Sequence, residues 1–365
     1  MRLVGRATPT LGTAEAPEPR PSPTVDSLEA ARTSTYPPPY PEGWYVVARS
    51  DELRSKPRFV RCVGESWALF RDASGQPCIV DAYCPHLGAN LADGCVREGN
   101  LQCPFHGWRV AGDGHVVGRP EPTPPDSRYR TRAWATDELH GWVLAYHRPG
   151  SDGTPVEPPY RLQRVPGIDT GQLVHRGDYD AGRVRMHLIE FAENSVDFRH
   201  FSSIHGELRV PWTEIGIPGM RIRHEASWRR DPDEPHVAWF GDQALLEFRG
   251  KPIKDSGATA EVRFEGPGGV VRFDFKLDKG GGRVVMFQSH SPVAPLEQHV
   301  RFRWFSERRV PKLLASFVVG NWISQWRQDI SIWERKVYRR SPLLTRADGP
   351  IHQLRRWYSQ FYEAG

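Results

Sequence analysis

Between Gly43 and His147 apolar residues gather in short runs broken by Gly, Asp and Pro: Trp44 to Ala48, Arg58 to Val63, Trp67 to Arg71, Cys78 to Ala82 and Trp142 to Tyr146. Such runs, bounded by turn formers, predict strands and a small all-β domain. Residues 148–159 then hold Pro149, Gly150, Gly153, Pro155, Pro158 and Pro159, a linker composition that sets a boundary near 150. Farther on, a strand-like stretch from Val184 to Glu190 runs into a helix predicted through His200. Antiparallel strands follow at Val237–Phe240, Ala244–Phe248, Ala260–Phe264, Val270–Phe275, Val284–Ser289 and Val300–Phe305. A long helical period from Lys312 to Tyr338 opens behind Pro311, where a missing N–H is tolerated. The expected class is α+β: an all-β N-terminal domain, then a helix-grip domain whose antiparallel sheet wraps at least one long helix.

Length and composition refine this only a little. The 365 residues suffice for two cores, and 38% hydrophobic with 25% charged residues is ordinary for a soluble chain. No apolar run approaches the roughly 20 residues of a membrane helix, and the Pro-rich and Ser/Thr-rich residues 1–41 lack a secretory h-region. They are expected to be a flexible tail of a cytoplasmic protein without a membrane anchor. The net charge of +5 comes from scattered arginines, which leaves acidic electron-transfer partners open and gives no nucleic-acid-binding tail. Five cysteines without a secretory signal argue for reduced thiols.

Four residues carry the first chemistry. Residues 84–108 read CPHLGANLADGCVREGNLQCPFHGW, with Cys84 and His86 in one turn and Cys103 and His106 in another. A [2Fe–2S] cluster with one iron on two thiolates and the other on two imidazoles needs this inventory, one Cys and one His from each loop. A Cys₂His₂ zinc site is the competing reading, although zinc knuckles usually open with C-x₂₋₄-C. Cys62, Cys78 and Cys95 fall outside the motif and read as small buried or neutral thiols.

The second constellation is ENSVDFRHFSSIHG at 193–206. Asp197 and His200 share a helical face, and His205 converges on His200 only if the helix bends or ends near Ser202 and Ser203. Two imidazoles need one carboxylate to complete a facial triad for non-haem Fe(II). Asp329 is the candidate, because on a helical wheel Trp322, Trp326, Asp329, Trp333 and Val337 form one stripe. A buried carboxylate must meet a cation. Iron is one candidate and a buried Arg the other; Asp197 on its own also reads as a capping or surface carboxylate.

With both motifs in place, the chain from about Gly43 to Tyr362 resembles the Rieske oxygenases that act on sterols, the cholesterol 7-desaturases and bacterial 3-ketosteroid 9α-hydroxylases. The likeness rests on CPHLGAN at 84–90, CPFHGW at 103–108, the ENxxDxxHxxxxH string at 193–205, QDISIWERKVY at 328–338 and GPIHQLRRWYSQFY at 349–362. It implies a tail at 1–41, a Rieske domain at 42–148, a linker at 149–160 and a catalytic domain at 161–365. Cys84, His86, Cys103 and His106 would bind the cluster, and His200, His205 and Asp329 the iron. Asp197 would link a cluster histidine of one subunit to an iron-ligating histidine of the next. Ala89 and Phe105 stand where respiratory Rieske proteins carry a bridging pair of cysteines, so the cluster is expected to be the lower-potential type. The resemblance further implies a head-to-tail homotrimer, electrons from NAD(P)H through an external reductase or ferredoxin, and dioxygen used to hydroxylate or desaturate a bulky apolar substrate. An aromatic ether, a quaternary amine or a chlorophyll derivative is the alternative substrate, and a non-catalytic electron carrier the alternative function.

Overall fold

The computed structural model describes residues 25–120, 128–154, 156–277, 280–345 and 348–362. Eleven short strands among the described residues build the N-terminal half, and the expected runs match Gly43–Arg49, Arg58–Cys62, Glu65–Arg71, Pro77–Asp81 and Trp142–His147 to within two residues at their ends. They form three small antiparallel sheets, one of which, Cys95–Arg97 to Val116–Gly118, carries the second motif loop. Alternate side chains of these sheets fill two cores. One of them packs Cys84, Cys103 and Trp108 against Phe70, Leu91 and Leu101.

The C-terminal half is one antiparallel sheet of nine strands among the described residues. Its path runs Leu173–Val184, Glu297–Glu307, Gly282–Ala294, Val270–Leu277, Ala258–Glu265, Val237–Phe248, Gly216–Arg230 and Glu207–Arg209, with Lys251–Pro252 paired to Val237–Phe248. Six α-helices are described: α1 (Val25–Thr33), α2 (Pro166–Asp169), α3 (Leu188–Asn194), α4 (Phe198–Ile204), α5 (Lys312–Trp333) and α6 (Ile351–Tyr358). The sheet grips α5, whose Val319, Ile323, Trp326 and Trp333 share a core with Phe240, Phe273 and Phe302. A second shared core sets Trp44, Val46 and Trp142 against Val285, Phe287 and Phe305, so the two halves bury apolar surface against each other.

Five expectations are corrected. Val184–Glu190 is not a strand: Val184 ends one, and α3 begins at Leu188 because the His187 ring caps it, accepting from Ile189 N at 3.2 Å. The helix through His200 is two helices, broken at residues 195–197 so that Asp197 can cap the second. Val237–Phe240 and Ala244–Phe248 are one strand, because Gly241 is not a turn but the point where the missing Cβ lets Ser227 Oγ approach. The tail expectation fails over residues 25–41, since α1 docks through Arg32, whose Nη2 donates to Trp333 O at 2.6 Å, and Tyr36 is buried. Residues 1–24 lie outside the described set. The long helix stops at Trp333, so Val337 is 42% exposed rather than part of the buried stripe.

Burial pushes three histidines below their usual range: His140 and His187 to about 4 and His290 to about 3. A depressed imidazole means that the unfolded chain takes up protons first, so stability is complete above pH 6.5 and falls as pH drops from 6.5 toward 4. Thermal melts from pH 7.5 to 4.5 should show that decline. His187→Asn, which keeps a cap acceptor, should make it shallower; an unchanged slope would remove His187 as a contributor.

Candidate metal centres

The two motif loops are built alike. Cys84 N donates to Ala89 O and Gly88 N to Cys84 O, each at 2.9 Å; Cys103 N donates to Trp108 O at 2.8 Å and Gly107 N to Cys103 O at 3.2 Å. Each loop reverses on a left-handed glycine, Gly88 at φ +75° and Gly107 at φ +69°, a conformation that disfavours a Cβ. The two turns therefore present paired side chains to one spot. The thiols of Cys84 and Cys103 are buried, while the His86 and His106 rings stand nearer solvent with centroids 4.8 Å apart. His86 stacks on Trp108 at 4.6 Å and 5°.

Burial and the adjoining Cys103 thiol raise the Cys84 thiol to about 11, against the opposing pull of the His86 and Leu87 N–H groups. Two thiols held together in an apolar core, with donors aimed at the sulfur and two imidazoles converging outside, fit a metal that deprotonates them. The donors divide as two sulfurs inside and two nitrogens outside, as a Rieske cluster requires. The remaining cysteines are apart from this site: Cys62 is buried, Cys78 half-buried and Cys95 exposed.

The second site stands on three local devices. Asp197 caps α4, its Oδ1 accepting from His200 N at 3.4 Å. His200 sits one turn in, its Nδ1 against Asp197 O, which leaves Nε2 free to point away from the helix. The helix ends at Ile204, so His205 turns back as its C-cap and its ring crosses that of His200 at 82° with centroids 5.0 Å apart. Asp329 approaches from α5 with Oδ1 3.3 Å from His205 Nε2. One ligand atom from each of His200, His205 and Asp329 lies within 4.8 Å of the others, and all three residues are buried. Asp329 thus meets a histidine edge and not an Arg; Arg327 turns away to Tyr179 and Trp212 O.

Burial lowers the His200 pKa, with Asp329 opposing and His205 adding to the shift, which keeps the ring in the neutral form a metal takes. Two imidazole nitrogens and one carboxylate oxygen on one side fit a facial triad with its other face open. That face looks into a cavity of about 40 Å³ walled by Phe191, Phe240, Phe264, Phe273, Trp322 and Trp326. Trp322 and Gln325 are also walls of a wider apolar funnel of about 350 Å³ that opens between α5 and the sheet.

Residues 43–136 match the Rieske [2Fe-2S] domain family, and residues 151–362 match the 3-ketosteroid 9α-hydroxylase C-terminal domain family. The chain belongs to the 3-ketosteroid 9α-hydroxylase family of Rieske oxygenases. Such an enzyme is the oxygenase component of a system with a separate electron donor, and it uses a [2Fe–2S] cluster and a mononuclear iron. Among its relatives are cholesterol 7-desaturases of Hemicentrotus pulcherrimus, 32% identical over 92% of this chain and 73% of that one, and of Caenorhabditis elegans, 30% identical over 91% and 79%. The oxygenase component of 3-ketosteroid-9-alpha-monooxygenase from Rhodococcus rhodochrous is 28% identical over 90% and 85%. Among solved structures, Pseudomonas putida NdmA with caffeine has a TM-score of 0.64 at 17% identity over 86% of this chain and 89% of that one. Dicamba monooxygenase bound to dicamba has 0.60 at 17% over 87% and 96%. At that identity they show the shared fold alone.

Several residues of this oxygenase escaped sequence reasoning. Asn194 lines the cavity and accepts from Trp333 Nε1 at 3.3 Å; the string at 193–205 includes it without giving it a role. Phe201, between the two ligand histidines in sequence, had no signal other than its apolarity.

Proposed function

We propose that Cys84, His86, Cys103 and His106 hold the cluster and that His200, His205 and Asp329 hold the iron of a steroid or sterol hydroxylase or desaturase. The convergence of the three buried ligand atoms within 4.8 Å, beneath an aromatic cavity, carries this reading. When bound, the iron supplies dioxygen activation at its open positions. The protein's part is to fix the two rings through the α4 caps, to exclude water with an aromatic wall, and to admit an apolar substrate through the funnel. That funnel falls within the roughly 300–1,000 Å³ of small-molecule sites, and Trp322 and Gln325 line both it and the ligand cavity.

The subunits assemble as a head-to-tail homotrimer in which Asp197, half-exposed at the start of α4, joins an iron-ligating ring to a cluster ring of its neighbour. Electrons come from NAD(P)H through a ferredoxin or reductase. The enzyme is cytoplasmic; among the described residues no helix is long and apolar enough to cross a membrane. The Rieske unit spans 42–148 and the catalytic unit 161–365, joined by 149–160.

The test is turnover of the iron-loaded oxygenase with ferredoxin, reductase and NADH on cholesterol and on a 3-ketosteroid. A steroid product lighter by two hydrogens would mark desaturation, and one heavier by one oxygen hydroxylation. NADH oxidation without any altered steroid would overturn the substrate class.

A further inference from the structure

The strands Gly216–Arg230 and Val237–Phe248 form a long hairpin beside the metal cavity, and their register sets His224 opposite Ala244 and Ala226 opposite Asp242. His224 and Asp242 are therefore diagonal neighbours on one face of the hairpin. Nδ1 of His224 donates to Oδ2 of Asp242 at 2.8 Å, and the two side chains are only 6% and 9% exposed. In the neutral ring the carboxylate, which can only accept, holds the proton on Nδ1 and leaves Nε2 as an acceptor.

That acceptor is unused. Nε2 of His224 is buried without a hydrogen-bond partner, and so is the second oxygen of Asp242, Oδ1. Both residues line the apolar funnel rather than the packed core. A His–Asp pair with a purely structural role would spend its outer nitrogen on the protein, because a buried polar atom without a partner is unfavourable. The pair lies on the side of the funnel formed by Ile222, Ala244 and Leu246, while Asp255, Ser256, Asn321 and Gln325 are the other polar residues of its wall. Its place relative to the ligands is fixed by Phe201, whose ring stands 5.2 Å from His224 on one side and 5.8 Å from His205 on the other. One aromatic ring thus packs against both His224 and the ligand His205.

We propose that His224, oriented by Asp242, accepts a hydrogen bond from a hydroxyl on the polar end of the substrate, and so selects a hydroxylated steroid over its ketone or its deoxy counterpart. The inference rests on the steroid reading of the site. His224 is the specificity-determining residue and Asp242 its positioning residue. A ketone brings no donor and leaves Nε2 unpaired, as does the bare hydrocarbon; an alcohol satisfies it.

Three probes delivered from cyclodextrin to the anaerobic holoenzyme separate the outcomes: cholesterol, the corresponding ketone cholestenone, and cholestene, which lacks the oxygen. Binding is read by quenching of tryptophan fluorescence, since Trp322 belongs to both cavities. The wild type should bind cholesterol about 10-fold more tightly than cholestene or cholestenone. His224→Leu should erase that preference while leaving the cholestene Kd within about 2-fold, and His224→Gln, which retains an acceptor near the Nε2 position, should restore part of it. A wild type that does not distinguish the three, or a His224→Leu that weakens all three alike, would overturn the assignment of His224 while sparing the steroid reading. Binding of none of them would overturn both.

Discussion

Asp329→Ala is expected to stop turnover while the visible spectrum of the [2Fe–2S] cluster stays that of the wild type. Asp329 brings the sole carboxylate of the buried group, and it comes from α5, a different element from the α4 segment that carries both histidines. Without it two imidazoles remain, too few to hold ferrous iron firmly. Even residues that only support a metal's ligands cost about 10–100-fold when removed, so losing a ligand should exceed ~100-fold in turnover and in iron retention. The cluster loops pack in a separate core around Leu91, Leu101 and Trp108, so their spectrum should not move. The metal-free variant should melt no lower than the metal-free wild type, because the change removes a buried charge and not an apolar contact. Iron and acid-labile sulfide assays, with cluster absorbance beside them, check this. About three irons to two sulfides in the wild type should become two to two in the variant. Loss of the cluster as well would mean that α5 supports the N-terminal half; retained turnover would mean that the carboxylate lies elsewhere.

The second large effect is expected at Asp197. Asparagine caps a helix as well as aspartate does, so Asp197→Asn should keep α4 and the placement of His200. It replaces one acceptor oxygen by an amide that cannot accept from a second imidazole. Turnover should fall about 10–100-fold with iron content, cluster spectrum and melting temperature unchanged. Stopped-flow reoxidation of the reduced cluster by dioxygen in the presence of substrate locates the defect. A slow cluster-to-iron step supports the intersubunit link. A wild-type rate would reduce Asp197 to a cap, and Asp197→Ala would then matter only through a loss of about 1 kcal/mol of stability.

Local chemistry made the N-terminal half readable. Its strands are short, each bounded by Gly, Asp or Pro, and its four candidate cluster ligands sit within 23 residues on two turns of the same make. Geometry of that kind is decided by neighbours in sequence, above all by Gly88 and Gly107. The grip of a sheet on a long helix was legible for a similar reason, since alternation and the 3.6-residue period survive in Val270–Leu277 and in α5.

Errors arose where a residue's local meaning was overridden. Gly241 looks like a turn and is a close approach to Ser227; His187 looks like part of a strand and is a cap. Arg32 and Tyr36 look like tail and are anchored by Trp333 O and Glu190, about 300 and 154 residues away. The sequence by itself determined which side chains are available: the Cys/His pairs, the Asp197, His200 and His205 string, and an aspartate among tryptophans. Only the tertiary structure decided that Asp329 meets His205 at 3.3 Å, that a wall of aromatic rings closes over them, and that His224 and Asp242, 18 residues apart, share one unpaired polar edge in the funnel. The reason is physical: spacing along a chain fixes contacts within a turn, whereas convergence between elements depends on how the sheet curls around α5 and buries its aromatic face, which no local pattern encodes.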